Sequence, residues 1–153
     1  RLGADVPVCL ASRTARMTGI GETVMPIGRA GVLHAVLVNP GVQVLTRDVF
    51  AGLDQSGATE TPRPQKPEGD LLIRAMDGRN DLEPAAAQVQ PLISECLRAL
   101  ASETGCQLAR MSGSGATCFG LFETRVAALR AADGLVAKNP QWWVQAAILG
   151  DPL

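Results

Sequence analysis

The stretch Arg110-Met-Ser-Gly-Ser-Gly-Ala-Thr-Cys-Phe-Gly-Leu-Phe122 decides how this chain is read. A Gly-Ser-Gly loop at 113–115 separates two extended apolar runs, Gln107–Met111 and Ala116–Phe122, so two strands joined around a short loop are predicted. Glycine at 113 and 115 carries no Cβ, which allows positive φ and close approach of the backbone to a ligand or a neighbouring segment. Successive N–H groups in such a turn can converge into an anion-binding nest. Ser112, Ser114 and Thr117 add hydroxyl donors beside it. The loop is not a P-loop, because no Gly-Lys-Ser/Thr follows, and it lacks the G-x-G-x-x-G spacing. From these residues alone two readings stand: a phosphate-binding loop, and a tight connection between strands.

Downstream, Thr124 is placed to cap a helix over Val126–Lys138, which Asn139-Pro140 stops before a last strand at Trp142–Leu149. Upstream, Asn80-Asp-Leu-Glu83 reads as a capping box at a helix start. Apolar positions 82, 86, 89, 93, 96, 97 and 100 then follow helical spacing, with Pro91 predicting a kink or two helices meeting end to end. Gly105 suits the residue after that helix. The prolines at 62, 64 and 67 make Gln55–Asp70 a long surface loop, followed by a short helical turn at Leu71–Met76. Thr46 reads as an N-cap for a helix over Arg47–Leu53, with Asp48 complementing the helix dipole.

Val32-Leu-His-Ala-Val-Leu-Val38 is a β-branched apolar run closed by Asn39-Pro-Gly41, a strand covered on both faces or central in its sheet. His34 within it reads as a packed, hydrogen-bonded residue, and no second histidine exists to build a metal site. Nearer the start, Pro7 biases Val6 away from helix, so Leu2–Leu10 reads as a turn entering an extended segment. Arg13–Val24 reads as a half-buried strand, with Gly19-Ile-Gly21 turning the chain towards Pro26-Ile27.

From about residue 29 the order is strand, helices, strand, strand, helix, strand. That order predicts an α+β fold, a ferredoxin-like sandwich with an antiparallel sheet covered by helices on one face. Residues 1–28 stand outside this pattern and read as the tail of a preceding domain, with 29–153 as the domain proper.

The 153 residues are 46% hydrophobic and 19% charged, the composition of a soluble globular protein of about one domain. A net charge of −1 and the lack of a basic run give nucleic acid no electrostatic footprint, and three Phe, two Trp and no Tyr are too few for a base-stacking platform. No apolar run approaches a membrane span of about 20 residues, so no membrane partner is expected. Cys9, Cys96, Cys106 and Cys118 are scattered without metal-like spacing, which suits a reducing cytoplasm.

Leu2-Gly-Ala-Asp-Val-Pro7 near the start and Met111-Ser-Gly-Ser-Gly-Ala-Thr-Cys-Phe-Gly-Leu121 near the end stand together. This pairing resembles the GHMP kinases, ATP-dependent small-molecule kinases, the second stretch being similar to their third motif. Asn39-Pro-Gly-Val-Gln-Val-Leu-Thr46, Val49-Phe50 and Asn80-Asp-Leu-Glu83 narrow the likeness to the branch acting in non-mevalonate isoprenoid biosynthesis on an alcohol that carries cytidine diphosphate. The likeness covers nearly the whole chain. The family's first motif with its catalytic lysine, and its second, the Gly/Ser-rich ATP loop, are expected upstream of Arg1, so the expected partner is the N-terminal half of the same chain. Without it, the 153-residue piece is expected to be inactive.

The resemblance implies a role for each matching residue. Asp5 corresponds to the family's catalytic aspartate, which accepts the proton of the attacking hydroxyl; read without the resemblance it is a turn or cap residue. Ser112, Gly113, Ser114 and Gly115 correspond to the loop that closes the site near the transferred phosphoryl group, with Ser114 holding Asp5 or a phosphate oxygen. Phe50 corresponds to an aromatic that stacks on the cytosine ring, and Thr46 and Ile20 to neighbouring positions of that substrate pocket; read alone, Phe50 beside Val49 and Leu53 suits a core. ATP is the expected cofactor, with Mg²⁺ arriving bound to it, because no carboxylate cluster here makes a dedicated metal cage. Two alternatives remain at this stage: another GHMP kinase with a different alcohol acceptor, and a non-catalytic ferredoxin-like binding module.

Overall fold

Residues 6–27, 31–55 and 70–150 are described by the structure, a computed structural model. The chain enters through a short helix, α1 (Val6–Ala11), and an antiparallel hairpin of β1 (Ala15–Thr18) and β2 (Thr23–Pro26), in which Thr18 pairs with Thr23 and Ala15 with Pro26. Val6–Leu10 is thus helical where an extended segment was expected. Pro7 is the second residue of the helix, a position whose N–H has no intrahelical acceptor, so its ring there breaks no bond.

The remaining elements are β3 (Val32–Asn39), α2 (Thr46–Gln55), α3 (Leu71–Asp77), α4 (Glu83–Val89), α5 (Leu92–Ser102), β4 (Cys106–Met111), β5 (Cys118–Phe122), α6 (Arg125–Lys138) and β6 (Trp143–Gly150). The four strands form one sheet in the order β4-β5-β3-β6, every neighbour antiparallel. With α5 packed on β4 and β5 and α6 on β3 and β6, this is the split β-α-β arrangement of a ferredoxin-like sandwich. β3 is interior to the sheet, and both Ala35 and Val36 on its opposite faces are fully buried, which its uninterrupted apolar run anticipates.

Helical periodicity puts Ile93, Cys96 and Leu100 on one buried stripe of α5, and Ala128, Ala131 and Leu135 on one of α6. They close over Val36, Val38, Cys118 and Phe122 to make the core. Each large side chain so buried contributes about 1.5–3 kcal/mol of transfer free energy. Pro91 separates α4 from α5, so the apolar run is two helices rather than one kinked one. Thr124 caps α6, its Oγ1 accepting from the Ala127 N–H at 3.1 Å. Asp70 caps α3 in the same way through Ile73 N–H at 2.9 Å. The surface loop expected over Gln55–Asp70 falls at 56–69, outside the described residues.

Candidate active site

The Ser112–Gly115 loop leaves β4 and re-enters the sheet at β5. The Ser112 N–H donates to Thr117 O at 2.9 Å and the Gly115 N–H to Ser112 O at 3.0 Å, which closes the turn. Gly113 and Gly115 have φ of +56° and +91°, the left-handed region that side chains avoid. At Gly115 a Cβ would also stand 3.0 Å from Met111 Sδ and 3.1 Å from Ile93 Cδ1, so both conformation and space require glycine. Among the described residues no acceptor meets the Gly113 or Ser114 N–H. Two adjacent donors on an exposed turn are the elements of an anion nest.

Three elements hold this loop. At the end of β3, Asn39 donates from Nδ2 to Thr117 Oγ1 at 3.0 Å, while its Oδ1 accepts from Gly41 N–H at 2.8 Å. From α2, the Thr46 and Ser114 hydroxyls share a hydrogen bond of 2.9 Å. Ahead of α4, Asn80 Nδ2 donates to both Met111 O (2.9 Å) and Gly113 O (2.8 Å), and Glu83 Oε2 accepts from Met111 N–H at 2.8 Å.

These bonds overturn two local expectations. Asn80 and Glu83 do not form a capping box: the N-cap of α4 is Leu82, without a side-chain cap bond. Asn80 Oδ1 accepts from Leu82 N–H at 3.1 Å, while Asn80 Nδ2 and Glu83 Oε2 reach across to β4 and its loop. Thr46 is likewise the first residue of α2 rather than a cap before it, and its hydroxyl goes to Ser114.

Against this framework lies a cleft of about 1040 Å³ between the β1–β2 hairpin and the segments α2, α3 and the turn before α4. Its walls include Arg16, Met25, Phe50, Arg74, Arg79 and Asn80. Phe50 follows Val49, which is fully buried in the core, and is itself 49% exposed and part of the cleft wall. Thr46 and Phe50 stand four residues apart, hence on one face of α2: one reaches the loop, the other the cleft. Arg79 pairs with Asp81 at 2.6 Å, and Arg110 Nη1 donates to Ala75 O at 2.6 Å, which ties the end of α3 to β4.

The structure therefore brings Thr46 and Ser112–Gly115 together and sets Phe50 in the adjoining cleft. Ile20 is at the tip of the hairpin, 85% exposed and outside the cleft wall, its N–H donating to Glu22 Oε2 at 2.6 Å. Asp5 lies outside the described residues. His34 is half-buried in β3, and its Nδ1 has no hydrogen-bond partner among the described residues, contrary to the hydrogen-bonded role expected for it. Cys118, just past the loop, is buried against Cys96; their hydrogen bond, then burial, push its thiol far above the ordinary range, so it is an inert core group. Among the described residues no three His, Cys, Asp or Glu side chains are grouped to hold a metal ion, and no helix is long and apolar enough to cross a membrane.

Residues 65–141, which include the glycine loop, match the profile described as GHMP kinases C terminal, and the chain belongs to the GHMP kinases, a class of phosphotransferases. Among curated relatives, the 4-diphosphocytidyl-2-C-methyl-D-erythritol kinase of Dinoroseobacter shibae is 48% identical over 97% of this chain and 53% of its own length. The kinase of the same name from Methylobacterium radiotolerans is 50% identical over 93% of this chain and 51% of its own length. The chain thus spans about half the length of the curated relatives it matches. Among solved structures, a crystal structure of 4-(cytidine 5′-diphospho)-2C-methyl-D-erythritol kinase superimposes with a TM-score of 0.75 at 31% identity, covering 98% of this chain and 55% of that one. A mevalonate kinase from L. major shares the fold, with a TM-score of 0.62 at 16% identity over 88% of this chain and 48% of its own.

Proposed function

We propose that this chain forms the acceptor-binding part of an ATP-dependent kinase that phosphorylates a hydroxyl of 4-diphosphocytidyl-2-C-methyl-D-erythritol, in the cytoplasmic non-mevalonate route to isoprenoids. Residues 1–28 are then the end of the N-terminal kinase domain and 29–153 the C-terminal domain. The observation that carries this reading is the shared wall between loop and cleft: α2 and Asn80 contribute to both, in a chain nearly half identical to kinases of that name.

ATP would supply the γ-phosphoryl group, and Mg²⁺ carried with it would supply charge neutralisation there. Phosphoryl transfer of this kind is mainly a matter of alignment and charge, and the chain's residues divide that work. Phe50 stacks on the cytosine ring and Thr46 stands between that ring and the loop, so the methylerythritol hydroxyl is presented at the loop; Ile20, at the hairpin tip outside the cleft wall, takes no part. Asp5 accepts that hydroxyl's proton as its oxygen bonds to phosphorus and the bond to the ADP oxygen breaks. The Gly113 and Ser114 N–H groups face the transferring phosphoryl oxygens, where fixed donors cost no reorganisation.

The test is ADP release by the natural full-length protein offered 4-diphosphocytidyl-2-C-methyl-D-erythritol, mevalonate or homoserine, repeated with Asp5→Asn. Turnover with the cytidyl acceptor alone, abolished by the substitution, is expected. Turnover that survives Asp5→Asn reduces Asp5 to a turn residue. A preference for mevalonate or homoserine replaces the acceptor assigned to the cleft, and no turnover with any acceptor removes the kinase reading.

A further inference from the structure

Asn80 both lines the cleft and hydrogen-bonds the glycine loop. Its amide spends both donor hydrogens on backbone carbonyls of the loop segment, Met111 O at 2.9 Å and Gly113 O at 2.8 Å, residues 31 and 33 positions away. Its carbonyl is fixed by Leu82 N–H at 3.1 Å, which orients the amide so that the donors cannot turn elsewhere. Glu83 completes the attachment by accepting from Met111 N–H. Neither bond is needed to build α4, whose N-cap is Leu82, nor to pair β4 with β5, which meet from Cys106 to Phe122. What the bonds do fix is the direction of the Gly113 carbonyl, and through it the peptide plane that aims the Ser114 N–H.

We infer that Asn80 is a positioning residue for phosphoryl transfer: it sets the glycine loop against the occupant of the cleft, and contact of the acceptor with the Arg79–Leu82 wall is transmitted to the loop through this amide. The inference rests on the kinase reading above for its substrate. Because the Asn80 bonds act on donors that meet the transferring group and not on those that bind the acceptor, losing them slows the chemical step more than it weakens acceptor binding.

The natural full-length protein is compared with its Asn80→Asp form, which keeps the shape and loses both donors, and its Asn80→Ala form. Steady-state kinetics and amide exchange over Met111–Thr117 are read together. In both variants kcat is expected to fall by about tenfold or more, as misplacement of a catalytic element does. The KM for the cytidyl acceptor is expected to stay within about threefold. Exchange over Met111–Thr117 quickens, while exchange over Val32–Asn39 is unchanged. In the unsubstituted protein, adding 4-diphosphocytidyl-2-C-methyl-D-erythritol without ATP slows exchange over Met111–Thr117. A kcat preserved in both variants overturns the assignment. So does faster exchange that extends equally through β3, which makes Asn80 a general stabiliser. Loop exchange indifferent to the acceptor overturns the transmission. Should the unsubstituted protein release no ADP, the kinase reading fails by itself, and the exchange comparison between Asn80 and its variants still decides whether this amide holds the loop.

Discussion

Phe50→Ala separates a binding surface from a core residue. Phe50 is 49% exposed, whereas its neighbour Val49 is fully buried, so truncation at 50 removes only about half the transfer free energy of a phenyl group. That is roughly 1 kcal/mol, a fall in Tm of at most about 2–4 °C in a protein longer than this chain. Loss of a stacked base is larger, about 1–3 kcal/mol, which raises the KM for the cytidyl acceptor by about 5- to 150-fold. Calorimetry and ADP-release kinetics on the natural full-length protein read the two numbers independently. Phe50→Tyr, which keeps the aromatic face, is expected to stay near the unsubstituted KM. An unchanged KM in Phe50→Ala, or a Tm loss of the size seen for buried residues, refutes the reasoning and returns Phe50 to packing.

Ile93→Ala, at a fully buried position under the loop, is expected to cost about 2–5 kcal/mol in urea unfolding; less than about 1 kcal/mol would mean that the core described around it is wrong. Gly115→Ala places a methyl against Met111 and Ile93 at a φ of +91°, so both stability and turnover are expected to fall, and a variant with native turnover contradicts the required left-handed turn. Burial pushes the Cys106 thiol above its ordinary value of 9.0. The folded chain therefore keeps this proton where the unfolded chain loses it, so the contribution is full below about pH 9 and is lost as pH rises further. Denaturant midpoints measured across that range should decline less steeply in Cys106→Ala; equal slopes contradict the assignment.

The sandwich was legible because its signals are local. The apolar run of β3, the proline between α4 and α5, the Thr124 cap and the glycine loop each act within a few residues, and their order fixes the topology. The attachment of the loop was not. Asn80 and Glu83 have the spacing of a capping box, and only the fold shows that β4 and its loop, about 30 residues away, offer them better-placed partners. Thr46 was misread for the same reason, since a hydroxyl at a helix start looks like a cap until Ser114, 68 positions away, is beside it. Pro7 misled in the opposite direction: its bias on Val6 is real, yet proline is tolerated in a first turn. Of the candidate site, Phe50 was visible as an aromatic on a short helix, while Arg16 and Arg74 carried no motif and became part of the cleft through folding alone.

The most direct test of the account is a structure of the natural full-length protein with 4-diphosphocytidyl-2-C-methyl-D-erythritol bound. The account predicts the cytosine ring in the cleft, stacked on Phe50 at about 3.5–4.0 Å, with the acceptor hydroxyl turned towards Asp5 and the Gly113–Gly115 loop. A cytosine ring bound elsewhere, with the Phe50 cleft left to solvent, would contradict it.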